Sequence, residues 1–358
     1  MTKRLMCGKM IHPVGVDEVL ELKIGIDFGT ARMRAFTEGG GIVVSEPSVI
    51  ALEAASGEVE AIGSDALIML GREPGVFTVS RPVRDGSIVD FDLAERMLAI
   101  YIKRICGNRM FKPTVIASVP VGMTELEKRT VLDAIIRAGV GRACLIESPL
   151  AAALGAGIML DKPCGTLAVD IGAGTTDAAV VTMGNIASSY SEKVGGDLLD
   201  RSLIEYLRIE RDIEIGEPTA EDIKRSLGAA VRRDTEIAAV ARGKSLKDGL
   251  PLYFEISSDE VYEAFEPALM KIGDTVMRVL DMTSPELVKD VSDNGMLLAG
   301  GTSQLYGMER MLMERTGIKA TAVFEAPLAV VKGTGAALRD IEYLRQNGYK
   351  FMTAGDGL

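Results

Sequence analysis

The sequence is poor in the residues that build metal centres, disulfides and histidine-based catalytic sites. Its 358 residues include one histidine, no tryptophan and four cysteines, and no two cysteines form a C-x-x-C pair. This composition gives little support to a zinc site, a disulfide framework or a histidine-dependent triad. The cysteine usage is typical of a reducing compartment, so we expect a cytoplasmic protein.

Long apolar runs are missing as well. No stretch reaches the roughly 18 apolar residues that span a bilayer, and the opening MTKRLMCGKMIHP lacks the apolar segment of a secretory signal. The formal net charge of −11 disfavours a general attraction to nucleic acid or to anionic membranes. We therefore expect a protein that is neither exported nor membrane-spanning, that has no nucleic-acid partner, and that touches membrane only locally.

What the sequence does contain is an approximate internal repeat. KIGIDFGTARMRAF (23–36) and LAVDIGAGTTDAAVV (167–181) share an apolar strand, an aspartate, a glycine-containing turn with threonine, and a second strand. Their aspartates, Asp27 and Asp170, lie about one domain length apart. The repeat predicts an α/β chain with two similarly built lobes, and a cleft between them would bring the two hairpins together.

Strand and helix patterns alternate along the rest of the chain. A capping box from Thr124 to Glu127 predicts the start of one amphipathic helix. Further predicted elements are strands at 114–121 and 142–147, a helix over 124–139, a strand–turn–helix unit over 295–317, and a final helix over 333–348. The predicted division is an extension 1–21; a first lobe 22–162 with a small subdomain at about 51–87, completed by a C-terminal helix 337–358; and a second lobe 163–336 with an inserted subdomain at about 205–285.

A strand that ends in aspartate and turns through small residues is suited to phosphate. Successive backbone N–H groups of the turn can cradle phosphate oxygens, while the aspartate holds water on a magnesium ion. Either hairpin alone is explained equally well as a tight turn that needs glycine for its backbone. Two such hairpins, followed by LLAGGTS and VKGTGAAL, favour a phosphate site.

These segments together resemble the five nucleotide-site segments of the superfamily of actin, sugar kinases and heat-shock chaperones. From about residue 22 to 345 the chain also resembles, in register, the MreB family of bacterial actin-like filament proteins. The segments that carry this second resemblance are GGGIVVSEPSVIAL, RPVRDGSIVDFDLAERML, KPTVIASVPVGMTELEKRTVLDAIIRAG, VGGDLLDRSLIEYLR and IGEPTAEDIKRSLGAA. The resemblance implies an actin-like ATPase fold with two duplicated, ribonuclease H-like lobes around a nucleotide cleft, ATP or ADP with Mg²⁺, and self-assembly into protofilaments.

The resemblance also implies roles for individual residues. Asp27 and Asp170 would hold magnesium through water. The implied nucleotide-binding residues are Asp27, Gly29, Thr30, Ala31 and Arg32 in the first loop; Asp170, Gly172, Ala173, Gly174, Thr175 and Thr176 in the second; Gly196; Glu221, Lys224 and Arg225 around the ribose and adenine; and Gly300, Gly301, Thr302 and Gly333 on their other side.

One departure from the family pattern lies in the first loop. Where the family usually has Ala-Asn-Thr, this chain has Ala31, Arg32 and Met33, followed by Arg34. Each arginine could meet a phosphate as a charge partner, or face solvent as arginines on hairpins commonly do.

A second departure lies in LIESPLAAALGAG (145–157). Ser148 is placed to cap a helix that has Pro149 at its first position, but the family has a glutamate there that positions the attacking water. Glu147 comes one residue earlier, and on a strand that shift reverses the side-chain direction. Glu147 and Ser148 are the catalytic candidates, and we expect nucleotide binding with slow hydrolysis.

A membrane contact is expected at CGNRMFKP (106–113). Met110 and Phe111 lie in a turn flanked by basic residues, and the alternative is a small hydrophobic contact within the fold. The resemblance implies that they enter the inner face of the cytoplasmic membrane. Burying both would gain roughly 3–6 kcal/mol, which is marginal for one molecule but ample for a filament. Residues 1–21 could form a short amphipathic membrane helix or a disordered tail.

Several functions stay open at this stage. The leading one is a membrane-associated actin-like filament protein that organises cell shape and cell-wall synthesis with membrane-embedded morphogenesis proteins. The alternatives are a nucleotide-binding paralogue without turnover, a chaperone-type ATPase and a sugar or metabolite kinase. No segment that could form a substrate-binding domain and no aspartate facing a sugar pocket is evident, which disfavours the last two.

Overall fold

The computed structural model describes residues 22–70, 75–108, 111–158 and 163–355. The predicted extension 1–21 and Met110 lie outside the described residues. No helix in these four ranges is long and apolar enough to cross a membrane.

The regular elements up to the middle of the chain form one half of the fold. They are β1 (Lys23–Phe28), β2 (Arg32–Thr37), β3 (Gly41–Pro47), β4 (Ile50–Glu53), β5 (Val59–Ile62), α1 (Ser64–Met69), β6 (Phe77–Ser80), β7 (Val83–Arg84), β8 (Ser87–Ile88), α2 (Phe91–Cys106), β9 (Thr114–Val119), α3 (Glu125–Arg137), β10 (Arg142–Glu147) and α4 (Ser148–Gly155).

Most of the elements that follow form the other half, and the last strand of the chain returns to the first sheet. They are β11 (Thr166–Ile171), β12 (Thr176–Thr182), β13 (Asn185–Glu192), α5 (Gly196–Glu210), β14 (Ile213–Glu214), α6 (Glu217–Leu227), β15 (Ala238–Ser245), β16 (Pro251–Ser257), α7 (Ser258–Asp281), α8 (Pro285–Asn294), β17 (Met296–Ala299), α9 (Met308–Thr316), β18 (Ala320–Ala322), α10 (Ala329–Arg339), α11 (Ile341–Gln346) and β19 (Met352–Gly355).

Two sheets with the same strand order form the frame. In the first, β1, β2 and β3 make an antiparallel meander, and β9 and then β10 add in parallel beside β1. In the second, β11, β12 and β13 make the meander, and β17 and β18 add in parallel beside β11. This shared topology confirms the predicted duplication into two α/β lobes.

Helices cover and separate the two sheets. One core joins α2 and α3 to the outer face of the first sheet, and another joins α5, α7 and α9 to the outer face of the second. A third core between the lobes contains residues of both sheets together with α4 and α10. Strand alternation separates these environments, because Leu145 packs in the outer core and Ile146 in the core between the lobes.

The helices α4 and α10 cross with their backbones in contact. A Cβ atom at Gly155 would overlap the carbonyl oxygen of Ala329, and one at Gly333 would overlap the carbonyl oxygen of Ala151. Both positions therefore require glycine, since a substitution would force the helices apart. The nucleotide-lining role expected for Gly333 is wrong in this structure, because the residue is buried at the helix crossing.

The predicted C-terminal helix is also wrong in its extent. The helix pattern over 333–348 belongs to two helices, α10 and α11, which are separated at Asp340. Gly333 and Gly335 lie inside α10 instead of at its entry. The chain then forms β19, an edge strand that pairs antiparallel with β10. Close packing explains the glycines, since a Cβ at Gly335 would overlap the Phe36 ring.

Two small sheets extend the lobes. One contains β5, β4 and β6 with α1 beside them, and the other contains β14, β15 and β16. The predicted hairpin around residue 250 is β15–β16. The expected insertion at 205–285 is smaller in the structure, because α7 packs on the second main sheet as part of the lobe itself.

Candidate functional site

The two repeated hairpins meet between the lobes. A Cβ at Gly174 would overlap the Thr30 hydroxyl and would lie 2.8 Å from the Gly86 nitrogen. The Gly86 N–H in turn donates to the Thr30 hydroxyl at 3.0 Å, and a Cβ at Gly86 would lie 2.7 Å from a Thr175 methyl carbon. Small residues therefore allow the first turn, the second turn and the β7–β8 turn to come into contact.

Hydrogen bonds fix the first turn internally. The Gly29 N–H donates to the Arg32 carbonyl at 3.1 Å, and the Ser48 N–H donates to the Ala31 carbonyl at 3.0 Å. The Ser48 hydroxyl donates to the Gly29 carbonyl at 2.6 Å. Backbone carbonyls of the turn are thus directed into the protein, which stiffens the segment that carries Thr30.

The second turn is tied to two distant segments. The Gly172 carbonyl accepts hydrogen bonds from the Thr302 hydroxyl at 2.7 Å and from the Gly196 N–H at 3.1 Å. The Ala173 carbonyl accepts from the Asp197 N–H at 2.9 Å. These bonds gather the start of α5 and the glycine segment after β17 around the second turn.

Gly300 and Gly301, in the glycine segment after β17, have different environments. Gly300 has φ of +83°, and a Cβ there would overlap the Ile171 carbonyl. A Cβ at Gly301 would meet no atom within 4 Å among the described residues. Thr176 points into the lobe, where its hydroxyl donates to the Val194 carbonyl at 2.8 Å.

Helix α6 places a lysine at the start of α5. The Lys224 ammonium donates to the Gly196 carbonyl at 3.0 Å and to the Asp200 carboxylate at 2.5 Å. Burial raises the pKa of Asp200 to about 6, although Lys224 opposes that shift. On the outer side of α6, Arg225 and Glu221 form an exposed pair at 2.6 Å.

Three largely buried carboxyl groups lie near the junction of the hairpins. Burial is the main cause that raises the pKa values of Asp27 and Asp177, and it raises that of Asp170 to about 8. The charges of Asp177 and Asp27 add to the effect on Asp170. A bound cation would stabilise the negative charges of these buried carboxylates.

We expect the ligand-free protein to lose stability between about pH 5 and about pH 8. The pKa of Asp170 rises from 3.8 to about 8 on folding, so in this range the folded state holds a proton that the unfolded state has released. The free energy of unfolding therefore falls as pH rises. Thermal unfolding midpoints across this range should fall less steeply in Asp170→Asn. Asp222→Asn, on an exposed position of α6, should keep the wild-type slope, and an unchanged slope in Asp170→Asn would contradict this prediction.

Asp177 was missed as a site residue by the sequence reasoning. It is buried, and its carboxylate accepts hydrogen bonds from the Thr175 hydroxyl at 2.7 Å and from the Val121 N–H at 2.9 Å. Because Val121 follows β9, this bond joins the two lobes. The signal was present in the repeat, since Asp177 is the strand partner of Asp170 just as Arg34 is the strand partner of Asp27.

The two arginines of the first hairpin have different partners. Arg34 forms an ion pair with Asp27 at 3.1 Å and is 15% exposed. Arg32 donates to the Ser45 carbonyl on the neighbouring strand at 3.0 Å. The sequence left both orientations open, and the structure directs Arg34 to the buried carboxylates.

Glu147 is held on the side of the first sheet that faces α3. Its carboxylate pairs with Lys128 of α3 at 3.2 Å and accepts a hydrogen bond from the Tyr349 hydroxyl. The Glu147 N–H donates to the same hydroxyl at 3.2 Å. An ion pair and a hydrogen bond therefore fix the Glu147 side chain on the α3 side of the sheet. This agrees with the expectation that neighbouring strand residues point in opposite directions.

Ser148 is the first residue of α4, and the cap position falls on Glu147. The capping role expected for Ser148 is wrong, because no side chain caps this helix end and Pro149 takes the next position. Ser148 is 7% exposed. The helix start thus relies on the proline and on packing.

The apolar turn before β9 is described only in part. Phe111 is 58% exposed, and it lies between α2 and β9 on the first lobe. A large aromatic side chain with this exposure is available for contact with another surface.

Comparisons with known proteins identify the family of this chain. A family model described as MreB/Mbl protein matches residues 21–346. The cell shape-determining protein MreB of Escherichia coli is 39% identical over 325 residues, covering 89% of this chain and 94% of the relative. The cell shape-determining protein Mbl of Bacillus subtilis is 38% identical over 325 residues, covering 90% and 97%.

Solved structures show the same fold. MreB5 of Spiroplasma citri bound to ADP has a TM-score of 0.86 and 32% identity, covering 92% of this chain and 99% of that one. The MamK double helical filament has a TM-score of 0.74 at 21% identity, covering 90% and 99%, and supports the fold alone. These matches confirm the expected actin-like fold. The chain belongs to the MreB/Mbl family.

Proposed function

We propose that this chain is an ATP-binding, filament-forming cytoskeletal protein of MreB type that organises cell shape and cell-wall synthesis. Its relatives named as cell shape-determining proteins match it over nearly their whole length. The MreB5 neighbours have been crystallised with ADP and with AMPPNP, a nucleotide analogue. The observation that carries the proposal is the meeting of two glycine-containing Asp-Gly-Thr turns between duplicated lobes.

The geometry supports binding of the phosphates at this junction. Positions 29, 172 and 174 lack side chains, so an anion can approach the backbone of the turns closely, although the Gly29 and Gly172 N–H groups donate within their own turns. The ribose and base would extend toward Lys224 on one side and toward Gly301, where space is open, on the other.

The residues present also fit a magnesium ion. Mg²⁺ in nucleotide sites keeps several waters and is held by one or two carboxylates and the phosphates. Asp27 and Asp170 would hold the ion through its waters. Burial, together with the charges of Asp177 and Asp27, raises the pKa of Asp170 to about 8, so its charged form is unfavourable without a cation. The ion would neutralise phosphate charge when bound.

A second candidate is a family member that binds nucleotide with little or no turnover. The observation that favours it is the position of Glu147, which Lys128 and Tyr349 hold on the α3 side of the sheet. Ser148 has no carboxylate or imidazole with which to take a proton from water. In this alternative, polymerisation would follow nucleotide binding alone.

The proposed location is the inner face of the cytoplasmic membrane. Phe111 offers one exposed aromatic contact per subunit, and a filament multiplies such weak contacts. Membrane-embedded morphogenesis proteins are the partners we propose there, in addition to other copies of this chain.

The proposal is tested by sedimentation with ATP, Mg²⁺ and anionic liposomes, followed by negative-stain microscopy. We expect filaments with ATP, and we expect them to pellet with liposomes. Phe111→Ser should polymerise equally well but lose most of its liposome binding, since one aromatic side chain contributes about 1.5–3 kcal/mol when buried. Persistent monomers at high concentration would refute the filament function. Equal liposome binding by Phe111→Ser would refute the membrane contact.

A further inference from the structure

The repeated hairpins differ in charge at one equivalent position. In the first lobe Asp27 pairs in register with Arg34, and in the second lobe Asp170 pairs in register with Asp177. The duplication thus places one guanidinium among three largely buried carboxyl groups. Where Arg34 meets the Asp27 carboxylate in the first hairpin, the second hairpin has a carboxylate in place of the guanidinium.

Arg34 has hydrogen-bonding capacity that the described residues do not satisfy. Its Nη1 donates to Asp27 at 3.1 Å, while its Nε–H is buried and has no acceptor among the described residues. A guanidinium carries five N–H donors in a fixed plane and matches the oxygens of phosphate well. A buried donor without a partner costs free energy, and an anionic ligand that accepts a hydrogen bond from the Arg34 Nε–H would remove that cost.

We propose that Arg34 contacts the nucleotide phosphates and supplies, from the protein, part of the positive charge that Mg²⁺ otherwise supplies. This inference rests on the proposed nucleotide binding. The Arg34 guanidinium and Mg²⁺ neutralise the same carboxylates and phosphates, so each is partly redundant while the other is present. Nucleotide binding by this chain is therefore only weakly dependent on Mg²⁺, and removing Arg34 makes it strongly dependent.

The test measures the affinity for a fluorescent ATP analogue with Mg²⁺ and with EDTA. We expect wild-type affinity to fall less than about 10-fold when Mg²⁺ is removed. In Arg34→Leu, we expect a loss of about 10- to 100-fold relative to wild type in EDTA and a much smaller loss in Mg²⁺. Arg129→Leu, which removes an exposed arginine from α3, should match wild type in both conditions.

The outcomes separate this inference from the function on which it rests. No binding by the wild type in Mg²⁺ would refute the nucleotide-binding function. Wild-type binding in Mg²⁺ that collapses in EDTA as far as in Arg34→Leu would refute the role of Arg34 alone. Arg34→Lys keeps the charge beside Asp27, so it serves as the folded reference if Arg34→Leu unfolds. Arg34→Lys should still bind nucleotide nearly as well in EDTA as in Mg²⁺. If its binding instead collapses in EDTA, the result would also count against the proposal.

Discussion

Ser148→Glu is expected to raise the rate of phosphate release from ATP by about 100-fold or more. General-base assistance contributes roughly 10²- to 10⁴-fold, and the resemblance to the family predicts a glutamate at the position that Ser148 occupies in this chain. Ser148 is the first residue of α4, which packs in the core between the lobes, whereas Glu147 is held on the α3 side of the sheet. Single-turnover ATP cleavage, measured by chemical quench with the protein in excess over ATP and with Mg²⁺ present, isolates the chemical step from product release.

The neighbouring glutamate provides the matched control. Glu147→Gln should leave the rate of phosphate release within about threefold of wild type, because Lys128 and Tyr349 already engage that carboxylate. The opposite pattern, with a fast wild type that collapses in Glu147→Gln, would show that Glu147 performs the catalysis. An unfolding temperature for each variant separates chemistry from loss of fold, since Ser148 is buried.

Gly333→Ala is expected to destabilise the protein by about 3 kcal/mol or more. The added methyl would overlap the Ala151 carbonyl of α4, and backbone in a helix cannot move aside as a flexible side chain can. The unfolding temperature should fall by about 4 °C or more in a chain of this size. Differential scanning calorimetry of the ligand-free protein measures the change.

A second glycine tests whether the clash is the cause. Gly39→Ala makes the same chemical change at an exposed turn where no atom lies within 4 Å of the new Cβ among the described residues, so its unfolding temperature should stay within about 1 °C of wild type. A wild-type unfolding temperature for Gly333→Ala would mean that α4 and α10 can separate without cost.

The repeat was the part of the fold most open to prediction from sequence. Local backbone geometry determines Asp-Gly-Thr turns between apolar strands, so both hairpins form as expected. The capping box at Thr124 and the strand that ends at Glu147 are also as expected. The position of Arg34 required the structure, because either face of the hairpin could have received it. Asp177 could have been found by aligning the two hairpins strand by strand.

The errors share a physical origin in long-range packing. Gly333 has the sequence context of a ligand loop, but its glycine is required by a helix that is distant in sequence. The strand β19 is short and mixed in polarity, and it forms because β10 leaves an open edge beside it. Ser148 has the composition of a cap, yet it is buried as the first residue of the helix, and Glu147 takes the cap position.

The crossing of α4 and α10 also limits how the two lobes can move. The helices approach so closely at Gly155 and Gly333 that no side chain fits between them, so translation of one helix along the other would bring larger residues into this contact, and we expect shear motion to be disfavoured there. The motion we expect is a hinge-like rotation about the crossing, in which displacement grows with distance from the axis. Small angular changes at the buried junction would therefore be largest at the outlying sheets β4–β6 and β14–β16.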